Sequence, residues 1–271
     1  MKPLNLEKVT LEIGARGGHY YKPESKPECL YPSVTTILSA VLAKPALLPW
    51  ARKVERENIR KAFLGVDIFP TKDMWAEFVN GTIDGAKNKP EEIAGAAADI
   101  GTRAHGVIDD ILKGTRKGTL DGLDEDIKPS VGAFLEWWQT QKIKVLHSEL
   151  PVCSHKLQVG GGMDFLGWKD RGLVVGDWKT SSGIYGSMLY QVGAYALCVE
   201  EMTGKKVKSA FIARFPKVVG DVPFEVVEVP SLAGAKMGFC YINGLYQLNK
   251  KYDAYLKECK KSDKEAKKIW A

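Results

Sequence analysis

The spacing of apolar residues changes near residue 143 and divides the chain into two halves. Before that point, a short alternating segment predicts a hairpin at 8–13 and 19–21, and helical spacing follows it. Ser33 is a candidate N-cap of the first helix, and Pro129 lies in the first turn of the last one. The predicted helices cover 34–42, 46–63, 72–88, 91–113 and 124–142.

The second half begins with short segments rich in strand-forming residues. The glycine run Gly160-Gly161-Gly162 and the sequence at 169–172 are turn signals that separate them. A helix is predicted at 186–202, and a long amphipathic helix closes the chain as an expected cap. Its apolar residues at helical spacing are Met237, Tyr241, Leu245, Leu248, Tyr252 and Leu256. The predicted strands cover 143–153, 155–159, 162–169, 172–178, 208–214 and 223–229.

This order of elements predicts an α/β fold with a small mixed central sheet flanked by helices. The chain contains no internal repeat and no linker rich in proline, glycine and serine. One domain over 1–271 is therefore expected, and its length suffices for a core of its own. Residues 1–142 would form a mainly helical elaboration with an N-terminal hairpin, and residues 143–271 the sheet core with the C-terminal helix.

Composition places the chain among ordinary globular proteins, with 45% apolar and 27% charged residues. No apolar run approaches the roughly 20 residues that span a bilayer, and the N-terminus lacks a signal pattern, so a cytoplasmic protein without membrane contact is expected. The cysteines are scattered and none forms a C-x-x-C pair, which argues against a disulfide framework and a clustered zinc site. They are Cys29, Cys153, Cys198, Cys240 and Cys259.

The net charge of +6 and the pI near 8.9 permit nucleic-acid binding without establishing it. Much of the positive excess lies in the tail from Lys250 to Lys268. This tail could contact a DNA backbone, or it could be the solvated face of a helix.

The chemistry is concentrated around two adjacent strands. Asp164 follows the glycine run at the start of one predicted strand, and Asp177-Trp178-Lys179 ends the next. Asp177 and Lys179 project from one face of an extended chain, and Asp164 can approach Asp177 from the paired strand. Two carboxylates held this close repel each other unless a cation lies between them, and hard oxygen ligands suit Mg²⁺ or Mn²⁺. The pattern predicts metal-assisted hydrolysis. The alternative is that Asp164 and Asp177 are acidic turn residues and that Lys179 is a surface lysine.

Four further residues could complete this site. Glu149 ends the preceding predicted strand and could supply a third carboxylate, or it could be an exposed edge residue. His105 shares a helix face with Gly101, and it could be a metal ligand or a buried core histidine. Gln191 and Tyr195 lie one turn apart on the helix after Lys179 and can reach one partner, unless they only pack.

Taken in order, these motifs resemble the PD-(D/E)XK nuclease superfamily, and most of all its RecB-like branch, which includes phage exonucleases. The motifs are G-T-x-x-H at 101–105, G-G-x-D at 161–164, D-W-K-T at 177–180 and Q-x-x-x-Y at 191–195. The segment P-S-V-T-T-I-L at 32–38 also resembles an N-terminal element of the phage members. The motifs span residues 32 to 195.

The resemblance implies a restriction-endonuclease-like core that binds one or two Mg²⁺ or Mn²⁺ ions. The implied metal ligands are His105, Asp164, Asp177 and the backbone carbonyl of Trp178. Lys179 would be catalytic, with Asp164, Asp177 and Glu149 beside it. Gln191 and Tyr195 would orient the site or the nucleic acid. Iron–sulfur relatives carry a late cysteine cluster, and because Cys240 and Cys259 are too few and too far apart, no iron–sulfur cluster is expected.

The implied partner is DNA, single- or double-stranded and preferentially at its ends. Ser33, Thr35 and Thr36 are candidate phosphate contacts, although N-capping explains Ser33 equally well. Arg103, Thr180 and Ser181 complete the candidate DNA contacts. Aromatic side chains such as Trp50, Trp75 and Tyr185 could stack on bases or pack in the core.

The expected function is a DNA exonuclease of the phage type in recombination, repair or end-processing. The alternatives are a catalytically inactive nucleic-acid-binding protein of the same fold, a structure-selective endonuclease, a phosphohydrolase of small phosphates and a purely structural partner protein.

Overall fold

A computed structural model describes residue 4 and residues 6–15, 17–44, 46–66, 71–216 and 224–269, with the side chains of the last helix up to Lys261. The described ranges contain two sheets and six helices, so the fold is mixed α/β as predicted. None of the helices in these ranges combines the length and the apolar character needed to cross a bilayer.

The N-terminal hairpin is confirmed and belongs to a small antiparallel sheet. Strands β1 (Val9–Ile13), β2 (His19–Pro23) and β3 (Tyr31–Pro32) pair in this order. Helix α1 (Val34–Val41) follows directly, and its first turn is capped by the Ser33 hydroxyl, which accepts a hydrogen bond from the Thr36 N–H at 3.0 Å. The predicted N-cap is therefore confirmed.

A long helical hairpin comes next. Helix α2 (Leu47–Leu64) packs along helix α3 (Lys72–Lys113), and Phe63 lies edge-on to Trp75 at 5.6 Å between ring centroids. The predicted interruption at 89–90 is wrong, because α3 continues through Pro90. Proline removes one backbone hydrogen bond, but burial of the Pro90 ring offsets that loss. Helix α4 (Lys128–Trp138) is shorter than predicted.

The main sheet has five strands in sequential order. They are β4 (Lys144–Ser154), β5 (Val159–Lys169), β6 (Gly172–Lys179), β7 (Val207–Arg214) and β8 (Glu225–Glu228). Helix α5 (Gly186–Thr203) crosses from β6 to β7, which makes that pair parallel, and the other neighbours are antiparallel. The predicted mixed sheet is confirmed. The strand predicted at 223–229 begins at residue 223, which lies outside the described residues.

The glycine run at 160–162 is part of β5, so its prediction as a turn is wrong, as is the strand predicted at 155–159. The turn lies instead at residues 155–158. The glycines are required by packing, since a Cβ on Gly161 would lie 2.5 Å from the Tyr195 ring and one on Gly160 would overlap Tyr21. The run lets β2 and α5 approach the strand that carries Asp164.

The two faces of the main sheet are covered differently. Helices α1 and α5 and the closing helix α6 (Leu232–Ile269) cover one face with an aliphatic core. The other face carries an aromatic cluster to which α4 contributes. Its buried rings are Phe134, Phe165, Trp178, Phe211 and Phe215. This cluster anchors Trp178, and therefore the residues on either side of it.

Helix α6 caps the sheet with a different face from the predicted one. Ala235, Phe239 and Ile242 are buried against the body. The apolar stripe singled out in the sequence is exposed instead, from Met237 and Tyr241 onward. The stripe follows helical spacing, but the small residues of the other face permit closer packing on α5, where a Cβ on Gly193 would lie 2.6 Å from the Ala235 carbonyl carbon.

Candidate functional site

Three carboxylates form a row across the main sheet. Ser148 pairs with Phe165 and Leu150 with Met163, which places Glu149 opposite Asp164. Phe165 pairs with Gly176, and the same register continued places Asp164 opposite Asp177. Glu149 has a left-handed φ of +50° and is not a paired member of the ladder, but one of its carboxylate oxygens lies within 4.8 Å of one of Asp164. Glu149 and Asp164 thus lie in mid-strand, and their predicted places at the end of β4 and the start of β5 are wrong.

The backbone and side chains around the row hold two of the carboxylates in place. Oδ2 of Asp164 accepts a hydrogen bond from the Trp178 N–H at 2.7 Å. Lys179 forms an ion pair with Oδ2 of Asp177, and its side chain is largely buried. Gln191 donates from Nε2 to Oδ1 of Asp177 at 3.1 Å. The predicted projection of Asp177 and Lys179 from one face and the approach of Gln191 to the site are therefore found in the fold.

The helix after Lys179 contacts the row through its second and third turns. Nε2 of Gln191 also donates to the Tyr195 hydroxyl at 3.0 Å, so one amide links Asp177 to Tyr195. Burial raises the pKa of Tyr195, and the charge of Asp177 raises it further, so this phenol stays protonated. Gln191 and Tyr195 act as one hydrogen-bonded unit behind Asp177.

Helix α3 brings His105 to the row from the other side. Its Nδ1 lies 3.9 Å from Oδ2 of Asp164. His105, Glu149 and Asp164 each offer one ligand atom, and these atoms lie within 4.8 Å of one another. The approach depends on Gly101, where a Cβ would lie 2.6 Å from Oγ1 of Thr180. Gly101 therefore lets α3 pack closely against the chain just beyond β6.

Burial shifts the pKa values of the carboxyl groups and of His105 toward their neutral forms, whereas Lys179 stays charged. Burial raises the pKa of Asp177 to about 6, against the lowering effect of Lys179. Burial and the charges of Asp164 and Asp109 raise the pKa of Glu149 to about 7, although Glu149 is an exposed residue of the edge strand β4. Burial and the ammonium of Lys179 lower the pKa of His105 to about 4, which keeps its imidazole neutral. A neutral imidazole is the form that binds a metal.

Asp109 is a candidate site residue that the sequence reasoning missed. It lies one turn after His105 on α3, and its charge raises the pKa of Glu149. Oδ2 contacts Nζ of Lys113 at 2.6 Å, whereas Oδ1 is buried without a hydrogen-bond partner among the described residues. The four-residue spacing from His105 was the available signal, because it puts both side chains on one helix face.

The donor set fits a small hard cation. Glu149, Asp164 and the neutral imidazole of His105 supply oxygen ligands and one nitrogen ligand within 4.8 Å of one another. Asp177 lies next in the row but outside this group, and no described cysteine joins it. Such a set suits Mg²⁺ or Mn²⁺ better than a thiolate-preferring metal. A divalent cation would also relieve the repulsion that raises the pKa of Glu149. Ligation by the Trp178 carbonyl stays a prediction.

The residues predicted to contact DNA are distributed unevenly. Ser33 is buried and its hydroxyl caps α1, while Thr35 is exposed and Thr36 half-buried beside it. Thr180 packs on α3 at the edge of the site, and Ser181 donates to the Gly183 carbonyl at 2.8 Å. The phosphate contacts proposed for these residues stay predictions.

Arg103 is held by acidic residues rather than presented to the site. Its guanidinium donates to Asp99 and Asp124, at 2.9 Å in each case, and to Asp126. The hydrogen bond with Asp126 raises its pKa above the usual range. Arg103 therefore ties α3 to the loop before α4, and a DNA contact would have to displace these partners.

The aromatic candidates for base stacking also differ. Trp75 packs against Phe63 and Phe78 within the helical hairpin but is still 43% exposed, and Trp50 is 36% exposed. Tyr185 is about half exposed, and its hydroxyl lies 2.9 Å from Oγ of Ser182 near the end of β6. Of the three, Tyr185 combines exposure with a position just beyond Lys179.

A second group of potential ligands lies farther along β4. Glu7, Cys153 and His155 bring their ligand atoms within 4.8 Å of one another. Both ring nitrogens of His155 already have partners, Glu7 at 2.9 Å and the Tyr31 hydroxyl at 3.0 Å. The hydrogen bonds explain this group as a polar link between the two sheets, without an ion.

Binding of Mn²⁺ should depend on pH because the carboxylates must ionise. The rise in melting temperature that Mn²⁺ causes should grow between about pH 5 and about pH 8. Its steepest part should lie near the raised pKa of Glu149, about 7. At a pH below the raised pKa values of Glu149 and Asp177, protons compete with Mn²⁺ for the carboxylate oxygens, and at a higher pH they do not. Thermal unfolding with and without Mn²⁺ across this range measures the effect.

A Glu149→Gln variant provides the control for this pH dependence. Glutamine keeps the size of the Glu149 side chain but cannot ionise. The growth of the Mn²⁺-induced rise in melting temperature near neutral pH should therefore disappear. A Mn²⁺-induced shift that is the same at both ends of the pH range would contradict the assignment of these carboxylates as ligands.

Comparison with known proteins adds no family to this description. No protein-family model matches the chain, and no curated protein is similar to it at a significant level.

Proposed function

We propose that the chain is a divalent-metal-dependent DNA nuclease that hydrolyses phosphodiester bonds, with a restriction-endonuclease-like core. The observation that carries the proposal is the row Glu149, Asp164 and Asp177 across three strands, with Lys179 paired to its end. Three carboxylates, a neutral histidine and a buried lysine in one place are the parts that metal-assisted phosphodiester hydrolysis requires. The sequence resemblance supports the same assignment.

Each group has a defined task in this proposal. Glu149, Asp164, Asp177 and His105 would hold Mg²⁺ or Mn²⁺, which when bound polarises a phosphate oxygen and lowers the pKa of a coordinated water. Lys179 stays protonated, because the charges of Asp177 and Asp164 raise its pKa despite burial. Its ammonium orients the attacking water and offsets charge that develops on the phosphoryl oxygens. Gln191 fixes the orientation of the Asp177 carboxylate.

A basic stripe on α2 supports a polyanionic substrate. Arg52, Arg56 and Arg60 are exposed and lie at four-residue intervals, so they share one helix face. None of the three forms an ion pair with a described residue. Helix α2 runs along α3, which carries His105 in its C-terminal part. The stripe could therefore guide a DNA backbone on the helical arm that leads to the site.

Reversing the charges of this stripe should weaken DNA binding. The triple variant with glutamate at Arg52, Arg56 and Arg60 should bind duplex DNA less tightly at every sequence. The slope of log affinity against log salt should fall by up to about 3, roughly one per lost phosphate contact. Fluorescence anisotropy across a salt series measures both quantities.

A matched control for this charge reversal lies at other exposed positions. Replacing lysines with glutamate at Lys8, Lys156 and Lys205 changes the net charge by the same amount. An equal loss of affinity in both triple variants would show that DNA binding depends only on the net charge. That result would contradict the placement of α2 in the DNA-binding surface.

A cleavage assay tests the proposed function directly. End-labelled linear DNA should be degraded in the presence of Mg²⁺ or Mn²⁺, and EDTA should stop the reaction. Release of mononucleotides or short products from the ends would support the exonuclease assignment over a structure-selective endonuclease. Intact substrate under all metal conditions, with DNA binding retained, would favour the inactive DNA-binding alternative.

A further inference from the structure

The distal part of α6 leaves the body of the protein with an apolar seam exposed. Asn243 is the last buried residue in the part of α6 whose side chains are described, and its Nδ2 donates to the Leu157 carbonyl at 2.9 Å. From Leu248 to Glu258 every residue is exposed. Tyr252 and Tyr255 are 58% and 62% exposed, which is unusual for residues in the apolar positions of a regular repeat.

The seam has the spacing of a coiled coil. Tyr241, Leu245, Leu248, Tyr252, Tyr255 and Cys259 follow one another at intervals of 4, 3, 4, 3 and 4 residues. The four intervals from Tyr241 to Tyr255 average 3.5 residues, the period at which an apolar seam stays turned toward a partner helix in a left-handed supercoil. Packing on the body does not require the repeat, because a different face of α6 makes that contact.

A helix exposed on all sides gains little stability from its own hydrogen bonds. Isolated helices shorter than about 12–15 residues are marginal in water, and the projecting part gains no tertiary packing within the described chain. Covering the seam would supply that packing. Heptad spacing of apolar residues is typical of a helix that packs against another helix with the same repeat.

We propose that the distal part of this seam, Leu248, Tyr252, Tyr255 and Cys259, pairs with the same four positions of a second copy of the chain, in an antiparallel two-helix coiled coil. In that register Tyr252 faces Tyr255 of the partner subunit, and Leu248 faces Cys259 of the partner subunit. The flanking position of Lys251 then lies next to Glu258 of the partner subunit. Symmetry forms this opposite-charge contact twice.

Charge distinguishes the two possible orientations. In a parallel pair with aligned seams, Lys251 would flank Leu256 of the partner subunit, and no opposite charges would meet between Tyr241 and Cys259. In the antiparallel pair the two Lys–Glu contacts form and the bodies lie at opposite ends of the coil. Lys250, Lys257 and Lys260 lie outside the seam and stay solvated in either case.

The mass of the protein in solution tests the pairing. The mass measured by light scattering should rise with protein concentration from the 29.9 kDa of the monomer toward twice that value. The double variant Leu248→Lys/Tyr255→Lys should remain monomeric, because it buries two charges in the seam. Ala254→Lys is the matched control, since it adds a lysine to the same exposed segment outside the seam and should still dimerise.

The orientation is tested with a short bismaleimide cross-linker. The Leu248→Cys variant should cross-link to Cys259 of the partner subunit, and adding Cys259→Ser should abolish the product. In the wild-type protein Cys259 should not cross-link to itself. Strong self-cross-linking of wild-type Cys259 would instead indicate a parallel pair and overturn the antiparallel arrangement.

Three outcomes would overturn the pairing itself. The first is a monomer at every concentration, and the second is a dimer that the Leu248→Lys/Tyr255→Lys variant does not disrupt. The third is a wild-type monomer whose DNA affinity falls in that variant, which would assign the seam to DNA. Because α6 contributes no residue to the carboxylate row, none of these outcomes depends on whether the chain cleaves DNA.

Discussion

Replacing Lys179 with alanine should lower the rate of DNA cleavage by about 100-fold to 1,000-fold, the effect of removing one preorganised charge stabiliser from an active site. Lys179 is the cation nearest to the carboxylate row, since it contacts Asp177 directly and is largely buried. Neither a water nor a surface lysine can reproduce a charge fixed in that place. Asp177→Asn should cause a similar loss, because it removes the group that Lys179 and Gln191 both contact.

Two measurements separate a catalytic effect from loss of the fold. Alanine at Lys179 leaves Asp177 buried without its cation, so the melting temperature and the DNA affinity must be measured beside the cleavage rate. Lys113→Ala is the matched control, because it also removes a lysine that pairs with an acid near the row, at 2.6 Å from Asp109. Its effect on the rate should be much smaller. Full activity in folded Lys179→Ala protein would refute the role of that residue.

Replacing Gly193 with alanine should destabilise the protein by about 1–3 kcal/mol, the usual penalty for overfilling a packed interior. A Cβ at this position in α5 would lie 2.6 Å from the Ala235 carbonyl carbon and 2.8 Å from the Lys236 nitrogen. Both atoms belong to the backbone of α6, so no side-chain rotation can relieve the contact. The melting temperature should fall by roughly 2–4 °C for each kcal/mol.

Gly244 on α6 provides the matched control. A Cβ there would meet nothing within 4 Å, and its φ is not in the left-handed region. Gly244→Ala should therefore raise stability by up to about 1 kcal/mol through helix propensity alone. If both alanine variants unfold at the wild-type temperature, α5 and α6 do not pack as closely as the structure places them.

The row of carboxylates was only partly predictable from the sequence. The strands that carry Asp164 and Asp177 follow from their strand-forming residues, and so does their antiparallel pairing. The opposition of Glu149 to Asp164 depends on the register of β4 with β5. Gly160-Gly161-Gly162 resembles a turn, and only contacts with Tyr21 and Tyr195 explain why a strand needs three glycines there. Packing between distant segments set that register.

The closing helix illustrates the opposite difficulty. Its apolar stripe is regular, and a single sequence gives no reason to expect a regular stripe to face solvent. Ala235 and Gly193 produce little hydrophobic signal, yet they form the contact between α6 and α5. A pattern identifies an apolar face, but it does not identify the molecule that covers the face.

The backbone conformation of Glu149 lowers the local stability of β4. Its φ of +50° is in the left-handed region, which costs a non-glycine residue about 1–2 kcal/mol. Glycine would adopt the same backbone without strain and would remove one of the crowded negative charges. Selection for stability alone would therefore replace this glutamate. If Glu149 is a metal ligand as proposed, a natural variant with glycine at 149 would be more stable and would bind the metal more weakly, so that stability and activity would conflict at a single position.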